Sequence, residues 1–161
     1  MKSNDDGYWA YTESVIDAVI DLLDDDAFPA KFKQFPQWKW DLAAAHLVLI
    51  ELGNGGLCQF FLNSTGIVAP EALAAFRRIG LPVIADTLEE AMRSFGPDYP
   101  RERDTRNALL AAKTGHSPDD PKWDPYTHGY FKELDPRLFG GRDFDQFYDA
   151  LDAYAKANAA S

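Results

Sequence analysis

Residues Glu51–Gly66 read Glu-Leu-Gly-Asn-Gly-Gly-Leu-Cys-Gln-Phe-Phe-Leu-Asn-Ser-Thr-Gly. Gly53, Gly55 and Gly56 fall close together, and glycine loses more backbone freedom on folding than any other residue, so such a cluster marks a break. Upstream lie Trp40, Ala44, Leu47, Val48 and Ile50; downstream lie Leu57, Cys58, Phe60, Phe61 and Leu62. The stretch therefore reads as two helices and their junction. The first runs from about Gln37 to Leu52 and is stopped by Gly53 in the left-handed conformation; the second is short, from Gly55 to about Ser64. The first is apolar nearly all round and is expected to be the buried centre of the domain.

The polar residues of this junction have a structural explanation. Asn54 is placed to cap the short helix, and Gly55 and Gly56 let backbones approach closely. Glu51 can accept bonds from free amides at the start of the next helix. Gln59 and Asn63, one turn apart, can satisfy buried backbone groups while Phe60 and Phe61 fill the core. The competing reading makes Glu51, Gln59 and Asn63, with His46, a polar pocket of a small enzyme. The structural reading is favoured, because polar groups at a helix junction are usually hydrogen-bonded to backbone.

Outward from the junction the chain continues as helices. Tyr8 to Asp26 carries Trp9, Thr12, Val15, Ile16, Val19, Ile20, Leu22 and Leu23 on one broad side. Phe28 to Pro36 reads as a connector anchored by Phe32 and Phe35. Pro70 and Pro82 open two further helices, the first closed by Gly80 and the second by Gly96-Pro97. Arg101 to Lys113 is a polar helix with Leu109 and Leu110 as its contacts. A proline-rich loop leads to a short helix near Thr127 to Leu134, and Asp143 to about Ala157 forms the last. No strand alternation persists. The expectation is one all-α domain over residues 1–161, compact, with about seven to eight helices and frayed ends at 1–7 and 159–161.

Charge is unevenly spread. The chain has a net charge of −10, and residues 1–30 hold eight acids against one lysine. Residues 31–113 hold nine acids and ten bases, and residues 114–161 nine acids and five bases. On the first helix Glu13, Asp17, Asp21 and Asp24 recur on the face opposite the apolar one, followed by Asp25. No Lys or Arg lies between Lys2 and Lys31. Like charges at this spacing destabilise a helix by about 0.2–0.5 kcal/mol per pair, and the acids at its end oppose the helix dipole. A merely solvated face normally mixes both signs. Asp145, Asp149 and Asp152 form a second acidic stripe on the last helix. Such a field repels nucleic acid and anionic membrane and attracts basic proteins.

Other chemistry is poorly served. His46, His116 and His128 lack the spacing of a zinc helix, and Asp24-Asp25-Asp26 and Asp119-Asp120 lack the pattern of a calcium loop, so no metal or other cofactor is expected. Cys58 is the single cysteine of the chain, which excludes internal disulfides, and it sits in an apolar helix, which reads as inert packing in a reducing cytoplasm. Arg101, Arg103 and Arg106 are interleaved by Glu102 and Asp104 and read as a solvated, salt-bridged face. No apolar run approaches the roughly 20 residues of a membrane span, and the N-terminus lacks an apolar signal core.

The pattern Glu51-x-x-Asn54-Gly55-Gly56-x-x-Gln59-Phe60-Phe61-x-Asn63-x-x-Gly66 resembles a bacterial family catalogued mainly as a domain of unknown function, which includes a neisserial DNA-mimic protein. The run Glu71 to Gly80, ending in Ile-Gly, is similar to the same family. The resemblance covers residues 40 to 110 best. It implies an all-helical domain and admits a homodimer. For function it implies a protein that presents acids as DNA presents phosphates, to a transcription regulator's DNA-binding surface. Leu57-Cys58 departs from the pattern, where an aromatic is common after the glycines.

The acidic surface is not part of the shared motif and rests on this chain's own acids. Acids four residues apart lie about 6 Å apart along a helix, whereas duplex DNA carries a charge every ~1.7 Å of axis. One helix cannot match that density; the first and last side by side approach a sparse version. Asp outnumbers Glu nineteen to seven, and short side chains fix their charge more closely. The expected function is a non-enzymatic acidic protein that engages a basic, DNA-binding protein partner through Glu13, Asp17, Asp21, Asp24, Asp25, Asp145, Asp149 and Asp152. The nearest alternative is an immunity- or antitoxin-like protein that neutralises a basic toxin with the same face.

Overall fold

Apolar side chains on nearly every side of residues 40–52 can leave water only if other helices enclose them. The computed structural model of the chain, which describes residues 7–23, 25–124, 129–139 and 144–160, shows that enclosure. Helix α1 is Trp9–Val19, continued by a 3₁₀ turn Ile20–Leu22; α2 is Phe28–Phe32; α3 is Gln37–Leu62. After a second 3₁₀ turn, Ser64–Val68, come α4 (Ala69–Ile79), α5 (Pro82–Arg93), α6 (Arg103–Lys113), α7 (Asp135–Phe139) and α8 (Phe144–Ala159). Helices α1, α4, α6 and α8 all pack on α3, α5 packs on α4, and α7 on α5. No strand occurs among the described residues: the domain is all-α, with eight α-helices there.

Helix α3 is long and apolar enough in composition to cross a membrane, yet it is the core helix. Leu42, Ala43, Ala44, Ala45, Val48 and Leu49 are fully enclosed by the surrounding helices. Beyond the glycines, Phe61 packs against Phe95, Tyr99 and Phe131, with ring centroids 4.9, 6.0 and 5.2 Å away.

The structure corrects four local expectations. Gly53 does not stop α3; the helix passes through it and breaks at Gly55 and Gly56, where Gly56 has φ 71° and ψ −164°. That region of backbone is open essentially to glycine alone, so the break falls at the residue able to adopt it. The first helix does not run unbroken to Asp26: it tightens to 3₁₀ geometry after Val19, where the uncompensated acids meet the negative end of the dipole. The connector at Phe28 forms the short helix α2, with Pro29 in its first turn and Phe28 and Phe32 fully buried and stacked. The short helix of the loop region is Asp135–Phe139, after turns through residues 130–134; Thr127 and His128 lie outside the described residues.

Candidate functional site

The junction at Glu51–Gly66 is built around one carboxylate. Glu51 is buried, and its Oε2 accepts from Gln59 Nε2 at 2.8 Å and Asn63 Nδ2 at 2.9 Å. Its Oε1 accepts from Thr65 Oγ1 at 2.8 Å. Gln59 and Asn63 thus serve Glu51 and not the backbone, and Glu51 takes side-chain donors in place of free amides. A Cβ on Gly55 would lie 2.3 Å from Gln59 Oε1, so the glycine makes the space through which Gln59 reaches Glu51. An ionised carboxylate offers about four lone-pair positions, and three donors occupy this one. The arrangement holds two limbs of α3 and the following turn in register.

The amide freed by the break is capped from a distance. Leu57 N–H donates to Asp135 Oδ1 at 2.9 Å, while Asn54, expected to be the cap, is exposed. A Cβ on Gly56 would lie 2.8 Å from that carboxylate, so Gly56 also admits it. Burial raises the Asp135 pKa, opposed by the Leu57 bond.

The far end of α3 is closed by arginines, which corrects the reading of Arg101, Arg103 and Arg106 as a solvated face. Arg106 is fully buried. Its Nε donates to Phe61 O and its Nη2 to Asn63 O, both at 2.8 Å, and its Nη1 to Arg101 O. Arg103 Nε donates to Leu62 O and Arg101 Nη1 to Ile67 O, each at 2.8 Å. The carbonyls at a helix C-terminus have no intrahelical donors and carry the negative end of the dipole, so cations belong there. Arg101 also forms a two-bond pair with buried Glu71, both bonds 2.9 Å long. A Cβ on Gly66 would lie 2.7 Å from Arg106 Nε, which is why the motif ends in glycine.

Further polar groups on and around α3 also find partners within the fold. Asp41, fully buried on α3, accepts Arg78 Nε at 2.7 Å and Tyr154 Oη at 2.8 Å, tying α3, α4 and α8. Arg77 pairs with Glu89 at 3.1 Å. His46 meets Tyr8 Oη at 2.7 Å through Nδ1, and burial pulls its pKa down to about 4. The Cys58 thiol is pushed up to about 11, by burial first and then by Asp135 and Asp124, so it is not a thiolate near neutral pH. Among the described residues no group of three His, Cys, Asp or Glu is placed to hold a metal ion.

The acids of the first helix stand differently. Glu13, Asp17, Asp21, Asp25 and Asp26 are exposed, as are Asp145 and Asp149 on α8. Asp24 lies outside the described residues. Among the described residues the arginines at 77, 78, 93, 101 and 137 pair with Asp41, Glu71, Glu89 or Glu90, and no ion pair involves Glu13, Asp17, Asp21, Asp25 or Asp145. Asp25 Oδ1 accepts Ala27 N–H at 2.7 Å, turning the chain into α2. Ile20 stands exposed between Asp17 and Asp21. Asp152 is only half-exposed, and its Oδ1 accepts Tyr8 N–H at 2.8 Å.

Sequence reasoning did not single out Thr65, Asp135 or Asp41. Arg106 belongs to the buried side of α6, as its spacing of three and four from Leu109 and Leu110 indicates, and not to a solvated face. No spacing rule points to Asp135, which comes 78 residues after the amide it caps.

A sequence model described as DMP19-like protein matches residues 33–158, the family of the neisserial DNA mimic. The match takes in the whole junction and begins after α1. No curated protein and no solved structure matches the chain.

Proposed function

The chain belongs to the DMP19-like protein family, and on that premise we propose that it is a non-enzymatic binding protein that occupies the basic DNA-binding surface of a protein partner, such as a transcription regulator. Family membership is consistent with DNA mimicry, and the family is not a known enzyme family. The observation that carries the reading is the edge of α1 and the turn after it. Glu13, Asp17, Asp21 and Asp25 are exposed there without a basic partner among the described residues, while the described arginines pair with other carboxylates or with backbone carbonyls. Because α1 precedes the matched region, the proposal rests on the acids themselves and not on their alignment with a relative.

Glu13 and Asp17, four residues apart on α1, repel each other at a cost to the helix, and Asp21 and Asp25 continue the same sign beyond its end. A basic surface that binds phosphates relieves this: the acids lose their mutual repulsion and the partner's Lys and Arg gain counter-charges. Exposed Ile20 adds an apolar contact between the acids, which a phosphate backbone does not offer. Asp145 and Asp149 extend the negative field on α8.

The double substitution Asp17→Lys, Asp21→Lys tests this. It is expected to abolish capture of basic DNA-binding proteins while leaving the fold intact, since it makes position 17 attractive to Glu13 on α1, a gain of about 0.2–0.5 kcal/mol, and leaves positions 17 and 21 like-charged as before. Capture by the unaltered chain is expected to fall by about tenfold or more between about 50 mM and about 200 mM salt. Undiminished capture by the reversed variant, at unchanged thermal stability, would sink the reading.

A further inference from the structure

We propose that Asp152 is a positioning residue: the last helix uses it to seat the start of the acidic helix. The inference rests on the reading of α1 as the binding element, and refines which acids belong to that element.

Three contacts converge on Tyr8. Its backbone N–H donates to Asp152 Oδ1 at 2.8 Å, and its ring stacks on Tyr148 at 6.0 Å with planes 9° apart. Its hydroxyl meets His46 Nδ1 on α3 at 2.7 Å. Trp9 adds its ring to the same histidine, 4.9 Å between centroids. The first amides of a helix have no intrahelical acceptors, and an acid there is favoured by the dipole as well as by the bond. Tyr8, at the N-cap position of α1, forms no side-chain cap of its own. The acceptor is supplied instead from 144 residues away in the sequence. A Cβ on Gly7 would lie 3.0 Å from Asp152 Oδ1, so the chain enters α1 closely against this carboxylate.

Below the latch, α1 is held by Thr12, Val15 and Val19, all fully buried. The latch therefore governs the first two turns, as far as Glu13, and not whether α1 docks at all. By sequence alone Asp152 belongs with Asp145 and Asp149 as one stripe. The structure divides the stripe, with the two earlier acids exposed and the third turned to α1.

Hydrogen exchange of the full chain, read on peptides covering residues 7–23, tests the assignment. Asp152→Ala is expected to speed exchange at the start of α1 by about tenfold, with α5 unchanged. Asp152→Asn keeps a carbonyl oxygen in the same place and is expected to restore protection to within about twofold. Asp145→Asn removes an equal charge from the exposed part of the stripe and is expected to leave α1 unaffected. Unchanged exchange in Asp152→Ala, or acceleration as large in Asp145→Asn, would overturn the proposal. Failure of Asp152→Asn to rescue would do so too, since it would make the charge and not the bond the active feature. None of these readings requires a partner. Failure of the acidic-face proposal, seen in the Asp17 and Asp21 reversal, is thereby told apart from failure of the latch.

Discussion

Replacing Arg106 with methionine is expected to lower the unfolding free energy by about 3–5 kcal/mol, a large share of a small domain's stability. Arg106 is fully buried and donates to the carbonyls of Phe61, Asn63 and Arg101. Methionine fills similar volume but leaves those acceptors without a donor in a space closed to water. Lysine carries the charge as a single point and cannot span acceptors arranged around a planar guanidinium, so Arg106→Lys is expected to recover less than half of the loss. Urea unfolding measures both, and an unchanged dependence on denaturant would show that stability alone has moved. Gly66→Ala places a Cβ 2.7 Å from Arg106 Nε and should be strongly non-additive with Arg106→Met. Additive effects would mean that the two residues do not share one packing site.

Glu51 carries the second large effect. Three side-chain donors converge on its carboxylate, and Glu51→Ala is expected to cost about 3 kcal/mol by leaving Gln59, Asn63 and Thr65 without their acceptor. Glu51→Gln keeps the shape but turns an amide N–H₂ toward other donors, and is expected to lose at least about half as much. Thr65→Ala removes one bond and is expected to cost about 1 kcal/mol. Thermal unfolding of the three variants gives the order. If Glu51→Gln were as stable as the unaltered chain, the junction would not be the tie described, and a pocket around Glu51 would regain force.

The fold was legible in the sequence because its signals are local. Prolines open α4 and α5, Gly80 closes α4 with φ 89° and ψ 33°, and apolar side chains all round the middle of α3 mark it as the centre. The motif named the family because its glycines answer to specific close approaches: Gly55 to Gln59, Gly56 to Asp135, Gly66 to Arg106. What spacing could not supply was the identity of partners distant in the chain. Asn54 lay beside the break and looked like its cap, but the bond goes to Asp135, because the kink at Gly56 turns the Leu57 amide toward α7. The arginines of α6 looked solvated because acids interleave them. Their targets, the last carbonyls of α3, belong to another element and leave no mark in the local pattern. Exposure of the α1 acids follows from amphipathicity and was readable, whereas the inward turn of Asp152 depends on where α1 and α8 meet.

The central claim is that this acidic domain takes the place of DNA on a basic protein surface. It is tested most directly by immobilising the chain, capturing proteins from a lysate at low salt, and challenging the captured material with excess duplex DNA. A DNA-binding protein is expected to be retained, to be released by the duplex, and never to be captured by the Asp17→Lys, Asp21→Lys chain. A bound protein that stays in place under excess duplex, or binds the reversed chain equally well, would contradict the account.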